Sequence, residues 1–140
     1  MVSTVAVGVD ASKTAGDAVK LAADLARRFD ARLVLLSAYQ NAGGAASRTG
    51  DEELQWATSF SARQRETIAR TEERLKRDGV RCSTLVAEGD PAEVLVRLAE
   101  QCAADILVVG NKGMQRRVLG SVPNTVTHKA GCSVLVVKTT

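Results

Sequence analysis

A chain of 140 residues suits one domain, because two domains of half that length would each bury too little apolar surface. Apolar residues make up 45% of the sequence but aromatic residues only 3%, which predicts an aliphatic core like that of a buried parallel sheet. The formal net charge of +3 is small and the basic residues form no long run, so the composition does not indicate a nucleic-acid-binding protein.

The first half of the chain predicts two strand–helix units. Residues 4–9 and residues 31–38 are short apolar runs typical of buried strands. Between them, apolar residues at spacings of three and four predict one buried helix face: Ala15, Ala18, Val19, Ala22, Leu25, Ala26 and Phe29. Residues 41–50 are small, polar and glycine-rich, which predicts a flexible loop that is long for a compact domain. A long, heavily charged helix is predicted over residues 51–78, and Gly79 is a suitable residue to end it.

The second half continues the same alternation. Residues 81–88 predict a third strand, and the next helix has a clear start, with Asp90 as N-cap, Pro91 in the first helical position and Glu93 in the third. The remaining elements are a strand at 105–109, a loop at 110–120, a short helix at 121–130 and a last strand at 133–137. Alternating apolar strands and helices predict an α/β fold, a parallel sheet with helices on both faces and right-handed crossovers.

Cysteine and histidine usage points to an ordinary cytoplasmic protein. Cys82, Cys102 and Cys132 are odd in number and form no CxxC pair, so we expect reduced, partly buried thiols. His128 has no second histidine with which to share a metal ion. The N-terminus begins directly with a predicted strand rather than a signal peptide, and no apolar run is long enough to span a membrane.

The segment after the fourth strand has the features of a phosphate site. Gly110 and Gly113 allow tight turns that aim backbone N–H groups at a ligand, and Gly120 and Ser121 begin a helix whose N-terminus favours an anion. Three cations accompany these glycines, namely Lys112, Arg116 and Arg117. The alternative is a simple strand-to-helix turn with Ser121 as N-cap and the two arginines in solvent. The segment matches neither a P-loop nor a GxGxxG fingerprint.

Along its whole length the sequence resembles the universal stress protein family. The resemblance rests on VGVDAS at the first strand, LLSAY at the second, GDPAEVL at the third helix and DILVVGNKG…LGSVPNTVTHKAGCSVLVV at the end. The ATP-binding branch of that family carries G-x2-G-x9-G-(S/T). Here six residues, rather than nine, separate Gly113 from Gly120.

The resemblance implies a Rossmann-like domain over residues 1–140, a strand order of 3-2-1-4-5 with two helices on each face, and an ATP site. Gly8 and Asp10 would then lie beside the ribose and base, and the backbone of Ala38 would hydrogen-bond the adenine. The ribose and inner phosphates would be bound by Gly110, Asn111, Lys112 and Gly113. The outer phosphates would be bound by Gly120, Ser121 and Val122. Asp10 has a second interpretation, as a cap of the first helix.

Several functions are consistent with this sequence. The first is a regulatory protein of the stress response that binds ATP, with Mg²⁺ where ATP is bound. The others are a binder of AMP or cyclic AMP, whose single phosphate suits a short loop, an interaction module without nucleotide, and a slow ATPase. We do not expect a dedicated enzyme, because no paired carboxylates lie near the glycines. Members of the family commonly form homodimers through the last strand, here residues 133–137, and an apolar edge strand favours such pairing.

Overall fold

The computed structural model describes residues 1–9, 13–40, 51–111 and 119–138, with only the backbone of residues 13–15 and 51–61. The elements are β1 (Thr4–Gly8), α1 (Lys13–Phe29), β2 (Arg32–Tyr39), α2 (Asp51–Arg77), β3 (Cys82–Glu88), α3 (Pro91–Gln101), β4 (Ile106–Asn111), α4 (Ser121–Lys129) and β5 (Ser133–Lys138). Every predicted strand is present, and its bounds differ from the prediction by two residues at most. The loop predicted at residues 41–50 lies outside the described residues.

The five strands form one parallel sheet in the order β3-β2-β1-β4-β5, which confirms the expected topology. From β1 the chain moves outward through β2 to β3, and it then crosses to the other side of β1 for β4 and β5. The direction of progression therefore reverses between β1 and β4. In open parallel sheets, ligands bind at such a reversal, outside the carboxyl ends of the strands.

Successive strand residues face opposite sides of the sheet, and each side packs against two helices. On one side Val5, Val7, Leu33, Leu35 and Val108 pack with α1 and α2; on the other side Ala6, Val34, Leu36, Leu107 and Val109 pack with α3 and α4. These side chains are almost wholly buried. Burying one valine or leucine side chain stabilises a fold by about 1.5–3 kcal/mol, so this aliphatic core is the main source of stability.

Two helix ends follow the sequence signals closely. Gly79 has a φ of +82°, and it ends α2 in a Schellman motif. In that motif its N–H donates to the Lys76 carbonyl at 3.0 Å, and the N–H of Val80 donates to the Leu75 carbonyl at 3.0 Å. At the start of α3 the Asp90 side chain accepts from the Glu93 N–H at 3.3 Å, as an N-cap does. Both predicted boundaries are confirmed.

The amino ends of β1 and β4 are joined by one carboxylate. Asp105 accepts hydrogen bonds from the N–H groups of Ser3 at 2.8 Å and Thr4 at 3.0 Å, and its own N–H donates to the Thr4 carbonyl at 2.9 Å. The N–H of Ser3 and then that of Thr4 hold the pKa of Asp105 below its usual value, because both stabilise the ionised carboxylate. This edge lies at the opposite end of the strands from the expected ligand site.

The three cysteines are free thiols, as expected. Cys102 is buried, and Cys82 and Cys132 are partly buried. Burial is the main cause that raises the pKa of all three thiols. Among the described residues, no helix is long and apolar enough to cross a membrane.

Candidate functional site

Most of the predicted site residues meet at the carboxyl edge of the sheet. Gly8 ends β1 and Gly110 and Asn111 end β4, while Gly120 precedes α4, which begins with Ser121 and Val122. Ala38 lies near the end of β2, on the other side of β1. The structure therefore brings these residues to the carboxyl edge of the sheet, where the strand order reverses between β1 and β4, and to the neighbouring end of β2. Asp10, Lys112 and Gly113 lie outside the described residues, as do Arg116 and Arg117.

The fourth strand is longer than predicted. The sequence analysis ended it at residue 109 and began the loop at Gly110, whereas β4 continues through Asn111. The reason is that β5 is also long enough to pair with these residues: Gly110 lies opposite Val137 and Asn111 opposite Lys138. Gly110 is consequently a strand residue, and β4 ends at Asn111.

Asn111 links the end of β4 to the start of α4. Its side chain is fully buried, and its Oδ1 accepts a hydrogen bond from the N–H of Gly120 at 2.8 Å. The bond joins the two ends of the segment between β4 and α4. By resemblance Asn111 was expected to surround the ribose and inner phosphates, and that role stays a prediction; its hydrogen bond to Gly120 shows that its side chain also positions the start of α4.

The start of α4 differs from the prediction in its capping. Ser121 was expected as the N-cap, but the N-cap is Gly120, which has extended backbone and makes no side-chain cap bond. The Asn111 side chain instead accepts from the N–H of the cap residue Gly120 itself. The helix begins with Ser121, Val122 and Pro123, and proline has no N–H. Two N–H groups, those of Ser121 and Val122, therefore remain at the helix N-terminus, where the backbone dipole favours an anion.

Gly8 provides space for packing at the end of β1. A Cβ built on Gly8 would lie 3.1 Å from Cδ1 of Leu95, a buried residue of α3. The glycine thus allows α3 to approach the sheet closely beside the site. No motif in the sequence connects Leu95 with Gly8, because their contact depends on how α3 packs on the sheet.

Ala38 directs its carbonyl towards the space beyond the end of β1. The carbonyl of Leu36 accepts from the Val9 N–H at 2.8 Å and so faces β1. Residues two apart in a strand have the same orientation, so the Ala38 carbonyl points to the same side, past the last residue of β1. There it accepts a hydrogen bond from Nε2 of Gln64 on α2 at 3.3 Å.

Gln64 is a residue that the sequence analysis missed. It lies on the long, heavily charged helix that the sequence predicts over residues 51–78, and no motif distinguishes it from its neighbours. A weak signal was available. Gln64 precedes Ile68 by four residues and Leu75 by eleven, and both of these are buried, so Gln64 lies on the inner face of α2.

The basic residues at the end of α4 and the metal-ligating groups are the other features that could contribute to a ligand site at this edge. His128 and Lys129 are exposed in the last turn of α4, away from its N-terminus. Within residues 1–9, 13–40, 51–111 and 119–138, no three His, Cys, Asp or Glu side chains form a group suited to hold a metal ion. The described part of the site consists mainly of backbone N–H and C=O groups and two side-chain amides.

Comparison with known proteins gives consistent results in sequence and structure. The family model described as "Universal stress protein family" matches residues 1–138. Universal stress protein Rv1636 of Mycobacterium tuberculosis is 37% identical over 144 aligned positions, which cover 98% of this chain and 97% of that protein.

Two solved structures share the fold over nearly the whole chain. A universal stress protein in complex with cAMP superposes with a TM-score of 0.76 at 29% identity, covering 99% of both chains. A universal stress protein family protein from Arabidopsis thaliana with AMP bound has a TM-score of 0.71 at 21% identity, covering 99% of this chain and 92% of that one.

Proposed function

Since the chain belongs to the universal stress protein family, we propose that it binds an adenine nucleotide at the carboxyl edge of β1, β2 and β4. The observation that carries this proposal is the bond between Asn111 and Gly120, because it places the N-terminus of α4 at the reversal of the sheet. The two solved relatives described above hold cAMP and AMP, which supports the same class of ligand here.

The phosphate end of the nucleotide would lie at α4. The N–H groups of Ser121 and Val122 are the donors available there, because the N–H of Gly120 is held by Asn111 and the next residue is Pro123. Two parallel N–H groups at a helix N-terminus suit the oxygens of one phosphate. The cations of the preceding loop, Lys112 among them, would add charge that salt screens.

The base end would lie at Ala38. A carbonyl that points past the end of β1 is an acceptor for the exocyclic amino group of adenine. That acceptor is in use by the Gln64 amide, which shows that a nitrogen donor can reach it. Gly8 lies between the two ends, at the end of β1, where it allows α3 to pack closely against the sheet.

ATP is the ligand that the motif of the family favours, and cAMP is a second candidate supported by this chain. The loop between Gly113 and Gly120 is three residues shorter than the motif of the ATP-binding branch. Together with the two donors of α4, the short loop favours a ligand with a single phosphate. ATP binding with Mg²⁺ would need further contacts from residues 112–118.

We assign the chain a regulatory binding role rather than a catalytic one. The described groups at the site are backbone amides and the side chains of Asn111 and Gln64, which can bind and orient a ligand but do not transfer protons at neutral pH. A change in the segment around α4 on binding would alter the adjacent surface that a partner protein could recognise.

Titration calorimetry with the nucleotide-free protein tests the proposal. AMP, cAMP and ATP with Mg²⁺ would be titrated separately, and the ATP sample would be analysed afterwards for ADP. Tighter binding of ATP than of AMP supports the full triphosphate site. Equal or tighter binding of AMP or cAMP indicates that one phosphate is recognised. Absence of heat with every adenine nucleotide, from protein shown to be folded, would refute nucleotide binding and favour the interaction module.

We also propose a homodimer that pairs through β5. Among the described strands, β5 lies at one edge of the sheet and pairs only with β4. Its apolar residues Val134, Leu135, Val136 and Val137 are only partly buried. An edge strand with half-covered apolar side chains on both faces favours pairing with a second copy.

A further inference from the structure

We propose that Gln64 competes with the 6-amino group of a 6-aminopurine for the Ala38 carbonyl. This inference rests on the proposed function and adds a residue that sets the selectivity of the site for the base. The contact that carries it is the hydrogen bond from Nε2 of Gln64 to the Ala38 carbonyl, at 3.3 Å. The bond joins α2 to the tip of β2, across 26 residues of sequence.

Gln64 and adenine would donate to the Ala38 carbonyl through chemically similar groups. The carboxamide NH₂ of Gln64 and the 6-amino group of adenine are both planar, neutral NH₂ groups on an sp² carbon that donate to a carbonyl. A carbonyl oxygen has two lone pairs and can accept two hydrogen bonds, so the two donors compete only where there is too little space for both. The carbonyl of Leu36, two residues earlier on β2, already accepts from Val9, whereas Gln64 reaches the Ala38 carbonyl beyond the end of β1, where the proposed function places the 6-amino group.

The position of Gln64 allows it to leave. Its side chain is half-buried, whereas Ile68, one turn later on the same face of α2, is buried against the sheet. The packing of Ile68 and Leu75 anchors the helix independently of the glutamine. Withdrawal of Gln64 therefore costs one hydrogen bond and requires no rearrangement of α2.

The Gln64 bond therefore lowers the affinity only of ligands that donate a hydrogen bond to the Ala38 carbonyl. AMP must break the Gln64 bond before its 6-amino group can bind. IMP carries an oxygen at position 6 and cannot donate to Ala38, so the Gln64 bond persists when IMP binds. Removing the carboxamide should increase the affinity for AMP by about two- to tenfold, the value of one net hydrogen bond, and leave that for IMP unchanged or lower.

The experiment compares AMP and IMP binding to wild type, Gln64→Ala and Gln64→Met by calorimetry. The methionine variant keeps the length of the side chain without a donor, which guards against a loss of folding in the alanine variant. Arg65→Ala, an exposed neighbour on α2, is the matched control and should bind both nucleotides like wild type. Circular dichroism melts establish that each variant is folded.

Tighter AMP binding by both Gln64 variants, with no gain for IMP, is the expected result. If wild type binds AMP but the variants bind it equally or more weakly, the inference is wrong while the proposed function stands; weaker binding would mean that Gln64 contacts the bound nucleotide. An equal gain for AMP and IMP would also overturn it, because the effect would not depend on the 6-amino group. If folded wild type binds no adenine nucleotide, the proposed function fails and this inference with it.

Discussion

Substitution of Gly120 by alanine tests whether the Asn111 bond holds the start of α4. The φ of Gly120 is −62°, which alanine adopts without strain, so the effect must come from the added Cβ. That Cβ would lie 2.9 Å from Oδ1 of Asn111, the atom that accepts the Gly120 N–H at 2.8 Å. Because the Asn111 side chain is fully buried, it has little freedom to move away.

The expected loss of stability follows from the hydrogen bond that the added Cβ disturbs. Lengthening or breaking the bond loses about 0.5–1.5 kcal/mol, and leaving a buried amide oxygen without its partner costs about 1–3 kcal/mol. We expect Gly120→Ala to lower the free energy of unfolding by about 1–3 kcal/mol, which for a domain of this size corresponds to a fall in Tm of about 3–10 °C. The same displacement moves the N–H groups of Ser121 and Val122, so nucleotide affinity should fall as well.

Urea unfolding of a double-mutant cycle measures this coupling. Gly131→Ala is the matched control, because a Cβ at Gly131 would have no heavy atom within 4 Å, and its effect should be close to zero. In an Asn111→Ala background the close contact is absent, so Gly120→Ala should cost clearly less than it does in wild type. Additive costs in the cycle, or a Gly120→Ala variant as stable as the Gly131→Ala control, would refute the reasoning.

Two further predictions concern the far edge of the sheet and the assembly. The pKa of Asp105 is lowered in the folded protein, so its stabilising effect is complete above the ordinary value of 3.8 and is lost as the pH falls through the folded value. The Tm difference between wild type and Asp105→Asn should therefore be largest near neutral pH and shrink below 3.8; a difference that stays constant on acidification would contradict this. Val136→Lys on β5 should convert the proposed dimer into a monomer in light scattering, and a wild type that is already monomeric at micromolar concentration would disprove pairing through this strand.

Local patterns determined the elements of this protein. β-Branched and leucine-rich runs became the five strands, and Asp90 and Gly79 begin and end their helices as their chemistry predicts. These signals work from sequence because capping, left-handed backbone and apolar periodicity depend on neighbours within a few residues. The strand order came from resemblance to a family, since alternation alone indicates a parallel sheet but not which strand lies beside which.

The details of the site were decided by tertiary structure. The sequence placed Asn111 in a phosphate loop, but pairing with Lys138 extends β4 to Asn111 and packing buries its amide against Gly120. Likewise, nothing near Gln64 in the sequence indicates Ala38, because their contact depends on how α2 packs over the tip of β2. Composition and periodicity describe which face of an element is buried. Which polar atom meets which across that face depends on the three-dimensional arrangement of elements that are distant in the chain, and so only the folded structure specifies it.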